Sequence, residues 1–495
     1  MQLQTLLSKV PTRAVRGSLD VEITSVCYDS RQAKPGALFV ALRGERVDGH
    51  DYLAQAIAQG AAGVVVEHEA GAVPAHVACA EVTSTRAVMP VLAGAFYHQP
   101  ASKLRLCGVT GTNGKTTTTY LLKHICERAM LRCGLLGTVR YEIGDEIVPS
   151  THTTPQSLDL QALLARMRDA GCKAAVMEVS SHALAQDRIG GVEFDAAIFT
   201  NLTQDHLDFH GSLQAYFDAK ARLFTDILPQ QTKKRPVAVV NIDDRYGAEL
   251  CQRLPKNLRL VTYGVGNRAD FRASNFKTEA AGTSYQLDAQ ERSYLVRLPL
   301  IGRFNVYNSL AALAASSAMG VQLRAAVMSL ATAPAVPGRV QLVPAKRNYQ
   351  VYVDYAHTDD ALSNVIRTLR ELNPRRLIVV FGCGGDRDKS KRPLMGRAAE
   401  QGADLSIITS DNPRSEDPTA IIRDIRKGYQ GDNYEVVVDR REAIERAVTL
   451  AQPRDIILIA GKGHENYQQF AHTTITFDDV QVAKAAIEAR PVDLN

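Results

Sequence analysis

The run Gly108-Val-Thr-Gly-Thr-Asn-Gly-Lys-Thr-Thr-Thr118 follows an apolar, strand-like segment, Leu104 to Val109, and precedes a helical pattern. A chain that leaves a strand, turns tightly and restarts as a helix needs glycine at the turn. The unpaired backbone N–H groups at the helix start then attract anions. The run reads as a cradle for a nucleotide's phosphates, with Lys115 against the β- and γ-phosphates and the Thr116 hydroxyl on Mg²⁺. Val109 takes the place of the first glycine of the usual GxxxxGK[ST] pattern and the tight glycine is Gly111, so the loop is a variant.

Around this loop the chain alternates strand and helix patterns. Ala174-Ala-Val-Met-Glu-Val and Asp195-Ala-Ala-Ile-Phe-Thr read as buried strands, with a helix from Leu158 to Ala170 ahead of the first. Such alternation implies a doubly wound parallel sheet, whose ligands gather at the carboxyl ends of the strands. Polar residues accumulate there: Glu178-Val-Ser-Ser-His182, Thr200-Asn201 and Asp205-His-Leu-Asp208. An antiparallel stretch is expected from Asp270 to Leu300, then an alanine-rich helix ending at Met319.

Upstream, short strands and one helix between Glu22 and Val66 make a small α/β unit, and a helix from Ala87 stops at Gln99-Pro100. Its polar turns, Asp29-Ser30-Arg31 and Gly44 to Gly49, suit a ligand's phosphates or sugar but on their own read as solvated turns. Downstream of Pro337-Gly338-Arg339 a third alternating unit begins, with Gly382-Cys-Gly-Gly385 after one strand as a phosphate-type turn. The expected fold is therefore α/β in three domains: a small N-terminal α/β domain over 1–99, a central doubly wound P-loop-type ATPase domain over 100–338 and a C-terminal Rossmann-like domain over 339–495.

At 495 residues the chain has room for three cores. A net charge of +5 without a Lys/Arg block gives little support for a nucleic-acid or membrane partner, and acidic small substrates remain possible. Eight cysteines without CxxC spacing suit reduced thiols in the cytoplasm. No uncharged run approaches the ~18 apolar residues of a membrane span.

GTNGKTTT, Glu178-Val-Ser-Ser-His182, Asp205-His-Leu-Asp-Phe-His-Gly211, Asp354-Tyr-Ala-His-Thr358, Gly385-Asp-Arg-Asp-Lys389, Asp411-Asn-Pro-Arg414 and Gly461-Lys-Gly-His-Glu465 follow one another along the chain. In this combination the sequence resembles the Mur ligase family over its whole length. The resemblance implies an N-terminal domain for a UDP-sugar, a central ATPase and a C-terminal domain for an incoming amino acid. It implies ATP-dependent amide formation through an acyl-phosphate in cytoplasmic peptidoglycan precursor synthesis. It further implies that the added residue is meso-2,6-diaminopimelate and the acceptor the D-glutamyl carboxylate of a UDP-muramoyl dipeptide.

The resemblance also implies residue roles. Lys115, Glu178, His206 and Lys220 are the catalytic set, with Thr116, Glu178, His206 and a CO₂-derived carbamate on Lys220 holding Mg²⁺. Gly111, Thr112, Asn113, Gly114, Lys115, Thr116, Thr117, Asn305, Arg339, Asp354 and His357 surround ATP. Tyr28, Ser30, Glu45, Arg46, Val47, Thr153, Thr154, Ser180, Gln186 and Arg188 hold the UDP-muramoyl peptide. Arg387, Asp411, Asn412, Pro413, Arg414, Gly461 and Glu465 hold diaminopimelate, with Arg414 gripping its far carboxylate and Glu465 its far ammonium. Read without the resemblance, Lys220 is an exposed helical lysine and Arg414 pairs with Glu416 or Asp417 on the surface. A lysine-adding relative, a folylpolyglutamate synthetase and an ATP-hydrolysing switch protein are the competing readings; small-molecule substrates and a monomer are expected.

Overall fold

The computed structural model describes residues 1–44, 47–68, 73–233, 235–266 and 268–490; Glu45 and Arg46 lie outside the described residues. The strand Arg105–Thr110 lies inside an eleven-stranded sheet, flanked by Ala196–Phe199 on one side and Ala174–Glu178 on the other. From Phe271–Glu279 through Arg259–Gly264, Val237–Asn241 and these three strands to Cys133–Leu136, neighbours pair in parallel. Strands buried on both faces must be apolar along their whole length, which is why Ala-Ala-Ile-Phe and Ala-Ala-Val-Met carry no alternation.

The antiparallel stretch expected from Asp270 to Leu300 forms Phe271–Glu279, Gly282–Ala289 and Arg292–Leu298 at one edge. The hairpin Arg140–Ile143 and Glu146–Pro149 closes the other edge and is not legible in the sequence pattern. One face of the sheet is covered by Lys115–Arg128 and by the alanine-rich Arg303–Ala318, whose small side chains let the two helices pack closely. Ser157–Asp169 and Leu213–Arg222 cover the other face.

The N-terminal unit is a five-stranded sheet ordered Thr12–Arg16, Ala78–Val82, Ala61–Val66, Ala37–Val40, Ser25–Cys27, with only the first strand antiparallel. The main sheet of the C-terminal unit has six strands, with Gln350–Asp354, Ile456–Ala460, Leu377–Phe381, Leu405–Ile408 and Tyr434–Val436 parallel and Gln341–Leu342 antiparallel at the edge.

Between the central and C-terminal sheets the backbone is constrained. Gly338 has φ +64°, and a Cβ there would lie 2.2 Å from the His464 backbone nitrogen. Val340 holds φ +43°, a strained value for a β-branched residue, while its N–H donates to Asp354 Oδ2 at 2.7 Å.

The structure corrects the reading of Gly382-Cys-Gly-Gly385, which is not an open phosphate turn. Cβ atoms on Gly382 and Gly385 would meet the Thr409 and Pro413 carbonyl oxygens at 2.3 and 1.9 Å. These glycines let two loops touch.

Candidate active site

The phosphate loop is tight for a visible reason. Gly111 has φ +143° and a Cβ there would sit 1.9 Å from Thr200 Oγ1; Gly114 has φ +86° and a Cβ there would sit 2.4 Å from Asn308 Oδ1. Asn201 accepts the Thr112 and Asn113 N–H groups, at 2.8 Å on its carbonyl and 3.0 Å on its side chain. The first half of the loop is thus engaged by protein. The anion-facing donors are those of the helix Lys115–Arg128, whose N-terminus no side chain caps. They open on a cavity of about 550 Å³ lined by Asn113, Gly114, Thr116 and Thr117 on one side and by Arg339, Asp354 and His357 on the other. An uncapped helix start beside a cavity of this size fits a nucleoside triphosphate.

The C-terminal unit reaches into this cavity. Arg339 donates to Thr116 Oγ1 at 3.1 Å and stacks over the Tyr355 ring. Asn113 Nδ2 donates to Asp360 Oδ2 at 3.3 Å. Asp354, its pKa raised by burial, accepts from the Val340 and Ala356 N–H groups, and the His357 carbonyl accepts from Lys391. Asn305 Nδ2 donates to the Ile301 carbonyl and its Oδ1 accepts from Asn308, so it braces the residue that abuts Gly114. The sequence did not single out Asn308, Asn201, Thr200, Asp360 or Tyr307 as contacts. Thr200-Asn201 carried a signal as a strand-end pair; Asn308 sits one helical turn after Asn305.

Lys115 and Lys220 meet at one oxygen. Lys115 Nζ donates to the Gly111 carbonyl at 3.0 Å and to Thr112 O at 2.9 Å, and Lys220 Nζ donates to the same Gly111 oxygen at 2.9 Å. The surface reading of Lys220 is overturned: only 1% of it is exposed, and its amine lies over the Tyr216 ring. Burial, then the Lys115 charge, pushes its pKa well below that of a free lysine. A π-helical turn, Leu223–Ile227, follows its helix directly, an irregularity that often accompanies functional sites.

His206 starts a short helix at φ +52°, with Nε2 3.4 Å from Asp205 Oδ2. Loss of water, with His182 and the two lysines nearby, holds it below the ordinary histidine range. Glu178 is buried, accepting from the Thr138 N–H at 2.9 Å and from its hydroxyl at 3.0 Å.

Thr153, Thr154, Ser180, Gln186 and Arg188 form one corner against Glu178. Thr138 Oγ1 is 3.0 Å from Thr153 Oγ1; Thr154 donates to the Glu178 carbonyl and accepts from the Ser180 N–H; Arg188 donates to the Thr154 carbonyl and to Gln186. Tyr28 ties the N-terminal unit to this region through Asp159 Oδ2 at 2.6 Å. Ser30 is buried and donates to Gln55, away from that corner, and Val47 is exposed, its carbonyl accepting from the Gly44 N–H.

A second corner lies at the carboxyl ends of Leu405–Ile408 and Ile456–Ala460. Asn412 Nδ2 donates to Glu465 Oε2 at 2.8 Å, and the fully buried Lys462 donates to Asn412 Oδ1 and to the same Glu465 oxygen at 3.1 and 3.2 Å. Burial raises the Glu465 carboxyl despite that lysine. A Cβ on Gly461 would lie 2.4 Å from Asp411 Oδ2, so the loops are in contact. Arg414, at φ +50° after Pro413, does not pair with Glu416 or Asp417. Glu416 is taken by Arg392 and Lys389, and Arg414 donates to the Gly385 carbonyl at 2.7 Å. It is half-buried rather than fully buried, and Arg387 beside Gly384 is exposed.

Among the described residues no cluster of three or more His, Cys, Asp and Glu side chains is arranged to hold a metal. The Thr116 hydroxyl and the Glu178 carboxylate nevertheless are hard oxygen donors beside an anion cradle. Mg²⁺ is held by one or two carboxylates together with substrate phosphates, so this sparse set fits it.

A phosphate loop beside a cavity of triphosphate size, with one corner carrying Arg188 and another carrying Lys462 and Glu465, fits a nucleotide-dependent ligase. Three sequence-family models match: the Mur ligase family catalytic domain over residues 22–97, the Mur ligase middle domain over 109–316 and the Mur ligase glutamate ligase domain over 338–463. A UDP-N-acetylmuramoyl-L-alanyl-D-glutamate--2,6-diaminopimelate ligase of Geobacillus thermodenitrificans is 44% identical over 493 residues, covering 99% of this chain and 100% of that one. The ligase of the same name from Bacillus licheniformis is 45% identical over 487 residues, 98% of each chain. A solved structure bearing that name superposes with a TM-score of 0.70 at 36% identity, covering 99% of both chains. The chain belongs to the Mur ligase family.

Proposed function

We propose that the protein joins meso-2,6-diaminopimelate to the D-glutamyl carboxylate of UDP-N-acetylmuramoyl-L-alanyl-D-glutamate at the expense of ATP. The observation that carries the reading is the pairing of a triphosphate-sized cavity with a separate corner, Asn412, Arg414, Lys462 and Glu465, that holds both charge signs a diamino diacid requires. The units divide as 1–99 for the UDP end, 100–338 for ATP and 339–495 for the amino acid.

In the first step a carboxylate oxygen attacks the γ-phosphorus and ADP leaves. The amine then attacks the acyl carbon, phosphate leaves with the C–O electron pair, and the amine gives up a proton. Both steps bring anions together, so positioned positive charge supplies most of the catalysis. Lys115 swings from its own loop carbonyls to the β/γ-phosphates, and Arg339 screens the transferred group from the side of Thr116. Thr153, Thr154, Ser180, Gln186 and Arg188 hold the muramoyl peptide beside Glu178. Ser30 and Val47 hold the uridine end.

Thr116, Glu178 and His206 would hold Mg²⁺, which would supply neutralisation of the phosphate charge. Lys220, whose pKa burial and the Lys115 charge lower, would take up CO₂ as the free amine, the Nζ–C bond forming as one proton leaves Nζ for solvent; the resulting anionic carbamate would suit a second metal position that an ammonium would repel. Among the described residues no helix is long and apolar enough to cross a membrane; a cytoplasmic enzyme acting as a monomer is part of the same reading.

The test offers ATP, the UDP-muramoyl dipeptide and an equimolar mixture of diaminopimelate, lysine and glutamate, and reads the product by mass. A diaminopimelate adduct alone supports the reading. A lysine or glutamate adduct refutes the assignment, and phosphate release without any adduct refutes ligation.

A further inference from the structure

Arg440 and Asp479 form a fully buried ion pair away from the phosphate loop, next to the strand ends from which the loops of the amino-acid corner begin. Both side chains are 0% exposed, and the guanidinium grips both carboxylate oxygens, Nε to Oδ1 at 2.8 Å and the terminal nitrogen to Oδ2 at 2.7 Å. The same guanidinium donates to the Ala460 carbonyl at 3.0 Å and to the Ser410 carbonyl at 3.4 Å. These carbonyls immediately precede Asp411 and Gly461, where the two loops of the amino-acid corner begin.

The location is electrostatically awkward. Arg440 is the first residue of the helix Arg440–Leu450, where the helix dipole disfavours a cation, and burial alone would lower its pKa. Asp479 reverses that, assisted by the Asp411 and Glu465 carboxylates, and itself opens the helix Asp479–Ala489 at the end that favours an anion. Apolar residues of similar volume often stabilise such a place as well or better, and buried pairs are best attested where they fix a register. Here the register is that of two strand ends: one fork, oriented by Asp479, sets the separation of the loops that carry Arg414 and Glu465.

We propose that Arg440, oriented by Asp479, is a positioning residue for the incoming diamino acid. It fixes the spacing between the far-carboxylate and far-ammonium contacts without touching the substrate. This rests on the proposed reaction, so wild-type activity with diaminopimelate is measured first; its absence sinks the reaction, whereas the comparison of variants bears only on the ion pair.

In the full-length double variant Arg440→Met/Asp479→Leu, unfolding temperature is expected to stay within a few degrees of wild type. KM for diaminopimelate is expected to rise at least tenfold, while KM for ATP and for the UDP-muramoyl dipeptide stays within twofold. Arg440→Lys keeps the charge but not the fork, and should raise the diaminopimelate KM severalfold with the other two unchanged; it decides the matter if the double variant does not fold. A folded variant with unaltered diaminopimelate KM, or with all three KM values raised alike, overturns the proposal.

Discussion

The sharing of one carbonyl by two lysine amines makes Lys220→Met the most informative perturbation. Bonds of 3.0 and 2.9 Å to the Gly111 oxygen hold the two nitrogens within ~6 Å of each other, where two full charges repel by about 3 kcal/mol at an effective dielectric constant of about 20. The folded chain meets this cost either as repulsion or by releasing the Lys220 proton. Methionine removes it and keeps the volume. Lost in exchange are one hydrogen bond and the contact with the Tyr216 ring, each worth about 1 kcal/mol, and Gly111 still has Lys115 as donor.

The variant should therefore be more stable by about 1 kcal/mol in CO₂-free buffer, a rise of roughly 2 °C, and nearly inactive. The pH dependence has a definite sign. With a folded pKa below the free value of 10.5, wild type binds fewer protons folded than unfolded at intermediate pH, so its stability climbs as pH rises towards 10.5. The advantage of the variant is then largest near neutrality and shrinks as pH approaches that value. Thermal unfolding across pH, with phosphate release in the presence and absence of short carboxylates, reads both halves. Lower stability at pH 7, or full turnover without an added carboxylate, refutes the argument.

Lys115→Ala should abolish turnover, by about 10³-fold or more, with little change in unfolding temperature, because its bonds are to its own loop and its charge is needed in the transition state; near-normal phosphate release would remove the loop from the reaction. Arg414→Ala should lose about 10²-fold in kcat/KM for diaminopimelate while KM for ATP holds within twofold, since a bidentate carboxylate grip is worth a few kcal/mol. Glu465 must be ionised to hold an ammonium, and burial raises its pKa above 4.5, so kcat/KM for the amino acid should fall on the acid side through a pKa above that value. Lys462→Met removes the cation that opposes the raised pKa, so that acid limb should move upward. The site should also lose preference for electroneutral diaminopimelate over cationic lysine; an unmoved limb and preference would detach Lys462 from recognition.

How much the sequence reveals follows from how each residue's role is encoded. The strand-loop-helix around Gly111 is local: strand apolarity, tight glycines and helix start occupy one continuous run, and the structure places them as their order implies. Arg105–Thr110, Leu377–Phe381 and Ile456–Ala460 are visible for the same reason, since doubly covered strands are apolar throughout. The hairpin Arg140–Ile143 and Glu146–Pro149 escapes because its edge strand Glu146–Pro149 is largely exposed and carries a proline. Lys220 cannot be read as buried, because the Gly111 oxygen that receives it lies 109 positions away. The glycines of 382–385 show the reverse error. Gly-Cys-Gly-Gly after a strand reads as an anion turn, but glycine also serves wherever another backbone must come close, and here the Pro413 carbonyl occupies the space. A local pattern therefore identifies the conformation a glycine permits. Which neighbour uses it, phosphate or backbone, depends on elements that only the fold brings alongside, and the same holds for Arg440, whose purpose rests on two carbonyls 20 and 30 positions distant.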